Sequence, residues 1–166
     1  MKKAIVYIMV GIVLLTIGGL GYAIYNKLLR AEEIGSRIEM LSNFELNNLF
    51  QKNDSTSAIP TILTYFHTEC SFCQSEIKDM QAHQELTKNS KVILISDEPQ
   101  SIIRSFVDEF KIDTAKFQIV WDKNGTLKNH FGVTSVPATF VYGADSLLIQ
   151  NFKGETKADV LYELIK

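Results

Sequence analysis

The sequence predicts an α/β domain, a mixed β-sheet flanked by helices, preceded by an N-terminal transmembrane helix. Three observations predict it. Residues 4–25 run for 22 positions without a charge. From residue 60 onward, short runs dense in β-formers alternate with segments of helical period. The period changes from strand to helix across Cys70 and Cys73, the only two cysteines in the chain.

The apolar run holds four Gly and one Thr among Ala, Ile, Val, Leu, Met and Tyr. As a helix it reaches about 33 Å, enough for a hydrocarbon core of about 30 Å. With Lys2 and Lys3 before it, it reads as a signal anchor over residues 1–30, with residues 4–25 in the lipid bilayer. A cleaved signal peptide is the competing reading, with Gly21-Tyr22-Ala23 as a small-x-small site, but the run exceeds the usual apolar core of such peptides. A buried helix of a soluble protein rarely needs so long an uncharged stretch. Lys27 and Arg30 balance Lys2 and Lys3, and the free amino terminus tips the count. The expectation is a single-pass cell-membrane protein whose domain lies outside the cytoplasm, on the periplasmic side.

From Ala31 onward 136 residues remain, enough for one domain. They carry 13 basic and 19 acidic residues, a net charge of −6, with no basic cluster. Nucleic acid is therefore set aside as a partner. Internal repeats and low-complexity tracts are absent from the sequence, which excludes a solenoid or a disordered tail.

Each element follows from local pattern. Ile34, Ile38 and Leu41 recur at helical spacing, giving a stalk helix over 31–41. The domain proper is 42–166. Phe44, Leu46 and Phe50 suggest a weak edge strand, followed by a polar loop at 51–57. Residues 60–66 read as a strand buried on both faces. A helix over 70–87 follows, with Cys73, Ile77, Met80 and Gln84 on one stripe and Glu76, Lys78 and Asp79 elsewhere on its surface.

Residues 91–96 repeat the buried-strand pattern. Asp97-Glu98-Pro99 then supplies a cap and first-turn proline for a helix carrying Ile102, Ile103, Phe106, Val107 and Phe110. This strand–helix order implies parallel pairing with a crossover. A third strand spans 117–121 and closes in the turn 122–125, and a short helix over 126–131 ends at Gly132. Residues 138–142 and 147–152 form an antiparallel hairpin around 143–146. A closing helix over 157–166 presents Val160, Leu161, Leu164 and Ile165. The sum is a sheet of four or five strands with helices on both faces.

The sequence Cys70-Ser71-Phe72-Cys73 sits where a buried strand hands over to a helix. The first sulfur then lies beside unpaired backbone N–H groups and the positive end of the helix dipole, a setting that suits a nucleophilic sulfur. The second lies one turn deeper and can resolve a mixed disulfide formed on the first. A zinc site would need two further ligands; His67, His83 and His130 exist, but no second pair has ligand spacing. Haem attachment needs His at position 74, which is Gln. A purely structural disulfide would close too small a loop to stabilise much.

The run from Phe66 to Glu76, followed by Thr134-Ser135-Val136-Pro137-Ala138-Thr139-Phe140, resembles the thioredoxin superfamily. More narrowly, it is similar to the membrane-anchored TlpA/ResA-like thiol-disulfide oxidoreductases. The likeness covers about 42–166, including the Asp-x-x-Gly turn at Asp122 to Gly125. It implies a thioredoxin-like fold, a cis proline at Pro137, and a glutamate, Glu76, three residues past the second cysteine. Two departures stand out. Glu69 replaces the tryptophan usual before the first cysteine, and Thr64 stands where thioredoxins proper carry a buried acid.

The expectation is a reductant of protein disulfides. Cys70 attacks as thiolate, and Cys73, deprotonated with help from Glu76, releases the reduced substrate. Phe72, Val136 and Pro137 are expected to meet the substrate, a strand of which would pair with the Val136 backbone. The resemblance implies protein thiol and disulfide substrates, a membrane electron donor for re-reduction, and no cofactor. A tethered scaffold module without turnover is the alternative. A peroxiredoxin-like peroxidase is a third reading, against which position 67 is His rather than Thr and residues 31–166 have only Arg37 and Arg104.

Overall fold

The computed structural model describes residues 59–166 without a break, and residues 7, 9, 11, 14–22 and 24–25 of the amino-terminal segment. The segment's described residues are helical, with Leu14, Leu15, Ile17 and Leu20 exposed. Among the described residues no helix is long and apolar enough to cross a membrane; part of the 4–25 run, and all of the 31–41 stalk helix and the 42–50 strand, lie outside them.

Among the described residues five strands form one mixed sheet: β1 Thr61–Tyr65, β2 Lys91–Ser96, β3 Phe117–Trp121, β4 Ala138–Tyr142 and β5 Leu148–Lys153, in the order β3-β2-β1-β4-β5. β1 pairs in parallel with β2, and β2 with β3. β4 runs antiparallel to both β1 and β5. β1 is thus central and buried along its whole length, as the unbroken run Thr-Ile-Leu-Thr-Tyr requires.

Helices α1 (Ser71–Ala82), α2 (Gln84–Asn89), α3 (Gln100–Glu109), α4 (Thr126–His130) and α5 (Ala158–Ile165) connect and close the sheet. Cys73, Ile77 and Met80 of α1, Leu86 of α2, Ile103 and Phe106 of α3, and Ala158 and Leu161 of α5 share one core with Ile62, Val92, Leu94 and Val141. Each Val, Leu, Ile, Met or Phe side chain buried there contributes roughly 1.5–3 kcal/mol. Phe140 alternates to the opposite face, where its ring meets Phe131 just past α4, at 5.1 Å between centroids. Helical segments therefore flank both faces, as expected.

Five expectations need correction. The helix over 70–87 is two helices, because His83 leaves helical geometry (φ −89°, ψ 88°) and its Nδ1 accepts the Leu86 N–H at 3.0 Å to cap α2. Leu86, not the exposed Gln84, completes the stripe. Asp97 and Glu98 do not cap α3, whose N-cap is Pro99 without a side-chain bond; Asp97 pairs with Lys128 at 2.7 Å and Glu98 turns inward. Glu76 is not on the helix surface but fully buried, and Val160 of α5 is exposed.

Candidate active site

The site forms at the carboxyl end of the central strand. Beyond β1, Phe66 N–H still bonds Ile95 O at 2.9 Å, and His67 O then accepts Cys70 N–H at 3.2 Å, turning the chain into α1. The first N–H groups of a helix have no partner within it. Cys70 supplies one as the N-cap residue, its Sγ accepting the Cys73 N–H at 3.3 Å. Its own S–H points to Val136 O at 3.8 Å. Both cysteines are free thiols, Cys70 half-buried and Cys73 buried in the core.

The loop before Cys70 is held from below by Glu98. Its buried carboxylate accepts Thr68 N–H at 2.6 Å, Thr68 Oγ1–H at 2.8 Å and Ser96 Oγ–H at 3.2 Å. His67 Nδ1 lies 3.2 Å away, and Gln74 Nε2 ties Thr68 O back to α1 at 2.7 Å. His67 and His83 are thus engaged in loop and cap contacts.

One turn beyond Cys73, Glu76 is wholly buried. Its Oε1 accepts the Thr139 hydroxyl at 2.6 Å and its Oε2 the Thr156 N–H at 3.1 Å. Burial pushes its carboxyl up to about 7, against the pull of those two hydrogen bonds. Burial also pushes the Cys73 thiol well above the usual range, with Cys70 and Glu76 adding to the rise. Cys73 therefore remains a thiol at neutral pH, beside a carboxyl able to take or give a proton there.

The connection from β5 to α5 holds Glu76 in place. Gly154, at φ +94°, donates its N–H to Pro137 O at 2.8 Å and starts the turn that brings Thr156 over α1. Ser75 Oγ donates to Glu155 at 2.6 Å, and Asp79 accepts Ala158 N–H at 2.8 Å. Three side chains of one α1 turn thus grip this connection.

The expected residues converge. Cys70 caps α1, Cys73 and Glu76 follow at three-residue intervals within it, and Val136 meets Cys70. The Val136–Pro137 bond is cis. Pro137 itself is buried, so Val136 and Phe72, 62% exposed, are the apolar surface offered beside Cys70. Sequence reasoning missed Thr139, Thr156 and Glu98. Thr139 was accessible in principle, because strand alternation two residues past Pro137 aims it toward α1.

Residues 39–150 match the AhpC/TSA family. The chain is 27% identical over 172 residues to thiol-disulfide oxidoreductase ResA of Bacillus thuringiensis subsp. konkukian (strain 97-27), covering 100% of this chain and 98% of that protein. Among solved structures, StoA from Bacillus subtilis aligns with a TM-score of 0.56 at 20% identity, covering 66% of this chain and 84% of that one. A secreted Mycobacterium tuberculosis disulfide oxidoreductase homologous to E. coli DsbE aligns at 0.55 and 20%, covering 66% and 82%. The chain belongs to the AhpC/TSA family, and it is a thiol-disulfide oxidoreductase of the thioredoxin fold.

Proposed function

We infer that this chain is a membrane-tethered, extracytoplasmic reductant of protein disulfides. The observation that carries the reading is the graded series on α1: a reachable Cys70 at the helix start, a buried Cys73 one turn in, and a buried Glu76 one turn further. In the first step Cys70 thiolate attacks one sulfur of a substrate disulfide. The substrate S–S bond breaks, a Cys70–substrate bond forms, and one substrate sulfur leaves as a thiolate that takes up a proton. In the second, Cys73 gives its proton to Glu76 and attacks Cys70 sulfur. The mixed disulfide breaks, the second substrate sulfur leaves and is protonated, and a Cys70–Cys73 disulfide remains. The substrate gains two electrons and the protein loses two.

Val136, half-buried against Cys70, offers its backbone to an extended substrate segment, with Phe72 as an apolar contact. The tether reading is supported by 22 uncharged residues behind Lys2 and Lys3 and by exposed apolar side chains on the described part of that segment. In an oxidising compartment such a dithiol needs a membrane electron donor to restore it. The test is a Cys73→Ser chain expressed with its amino-terminal segment. It should fractionate with membranes and accumulate mixed disulfides through Cys70 after acid quench; an unmodified Cys70 would refute exchange on protein substrates, and a fully soluble chain would refute the tether.

A further inference from the structure

Glu76 is not the last polar group in its line. Thr139 Oγ1, which donates to Glu76 Oε1 at 2.6 Å, lies 2.9 Å from Thr64 Oγ1, and all three residues are fully buried. The register explains the meeting. Thr64 of β1 and Thr139 of β4 are directly paired across the antiparallel ladder, so both side chains leave the sheet on the face that α1 covers. Thr64 stands six residues before Cys70, beneath the active-site helix.

We propose that Thr139 and Thr64 form a reversible hydroxyl pair that positions Glu76 for proton exchange with Cys73, and that Thr139 is a positioning residue of the resolving step. This rests on Glu76 being the proton acceptor for Cys73. A hydroxyl both donates and accepts, so the chain of three oxygens can run in either direction. With Glu76 ionised, Thr64 donates to Thr139 and Thr139 donates to the carboxylate. With Glu76 protonated, its O–H donates to Thr139 Oγ1 and Thr139 donates to Thr64. No heavy atom has to move between the two states, and the buried carboxyl keeps a partner in each. A valine, the same shape without the hydroxyl, would leave Oε1 buried without that bond in both.

The direction of the effect follows from charge. A hydrogen bond to a carboxylate is about twice as strong as one to a neutral acid, so the Thr139 bond favours the ionised form. The other groups that face Glu76 and titrate or carry charge are Cys73 and Asp79 on α1 and Glu155 on the β5–α5 connection, the last paired with Lys157. β1 and β4 contribute the two hydroxyls described. The acidic neighbours oppose ionisation, which leaves the Thr139 and Thr156 bonds as the groups that favour it.

The experiment uses the reduced full chain and dithionitrobenzoate. Attack by Cys70 releases one chromophoric thiolate, and attack by Cys73 on the resulting mixed disulfide releases a second, so the slower phase reports the resolving step. Its pH profile should have a midpoint near that of Glu76, which carboxyl-labelled NMR measures directly. Thr139→Val should raise both midpoints by about one pH unit and slow the second phase at neutral pH by about fivefold, with the first phase unchanged. Thr139→Ser should restore the profile. Thr64→Val should move it the same way by less. A second-phase profile unmoved in Thr139→Val overturns the inference, provided that Glu76→Gln abolishes the midpoint; if Glu76→Gln leaves it in place, the reading of Glu76 itself fails. Should Thr139→Val not unfold cooperatively, Thr64→Val decides the matter, and an unmoved midpoint there is equally fatal.

Discussion

At the scale of single residues, the two cysteines differ in setting more than in chemistry. Cys70 caps a helix at the surface and Cys73 lies in the core, so their replacements should fail in different ways. Cys70→Ser should reduce insulin reduction by dithiothreitol to the uncatalysed rate. Cys73→Ser should still attack but stall at the mixed disulfide, visible as a mass increase that a reductant removes. Glu76 makes a second prediction. Burial pushes its carboxyl up to about 7 in the folded chain, from the ordinary 4.5. The folded state therefore binds the proton more tightly than the unfolded one, and this group's share of stability is complete below its unfolded value and lost as pH rises through the folded one. The difference is on the order of 3 kcal/mol between about pH 4 and 8. Urea unfolding of the wild type should weaken across that window, and Glu76→Gln should flatten the slope; a parallel slope in the variant would contradict the assignment. The sequence could place Glu76 one turn past Cys73, but not its burial, because β4 and the β5–α5 connection, both remote in the chain, close over it.

At the scale of elements, what holds a helix end often comes from elsewhere in the chain. α5 starts at Ala158 with Lys157 as its N-cap residue and no local side-chain cap. Asp79, 79 positions earlier on α1, accepts the Ala158 N–H. Asp79→Ala should cost about 1 kcal/mol, the ordinary value of a lost cap, in chemical denaturation. It should also loosen the grip on Glu76, raising amide exchange at Thr156. An effect at α1 alone, with α5 amides unchanged, would show the cap to be dispensable. Such caps are invisible to pattern reading, which looks a few residues upstream. The strands were legible for the opposite reason. Residues 91–96 and 138–142 are bounded as expected because a strand buried among others announces itself by an unbroken β-rich run, and 117–121, an edge strand, because its run ends in the turn at 122–125. His83 shows where the pattern fails: the helical period continues through it, but its imidazole caps a new helix, and histidine is not among the residues that usually signal a start. Asp97 and Glu98 failed as a cap because each had a stronger partner in space, Lys128 for one and the loop before Cys70 for the other.

At the scale of the whole molecule, the direction of electron flow depends on which redox form the fold stabilises. A strongly oxidising pair is one whose reduced form is held as a thiolate. Here the electrostatic neighbours of Cys73 are Cys70 and Glu76, and those of Glu76 are Glu155 and Asp79, so every one is an acid. Glu69 adds an exposed carboxylate immediately before Cys70, and Ser71 and Phe72 bring no positive charge between the cysteines. Burial is the larger cause, since an ionised Cys73 would have to shed its hydration. The reduced protein thus gains little from ionisation, and the disulfide is not made unusually easy to reduce. The Cys70–Cys73 couple should lie nearer about −270 mV than about −120 mV in a glutathione or dithiothreitol redox titration followed by thiol labelling. Glu69→Lys, which replaces that carboxylate with a cation beside the nucleophile, should move the potential upward by a few tens of millivolts, where about 30 mV corresponds to roughly 1.4 kcal/mol. A wild-type potential above about −150 mV, or a Glu69→Lys shift in the opposite sense, would mean that something other than these acids sets the poise, and the protein would then be placed to oxidise its substrates rather than reduce them.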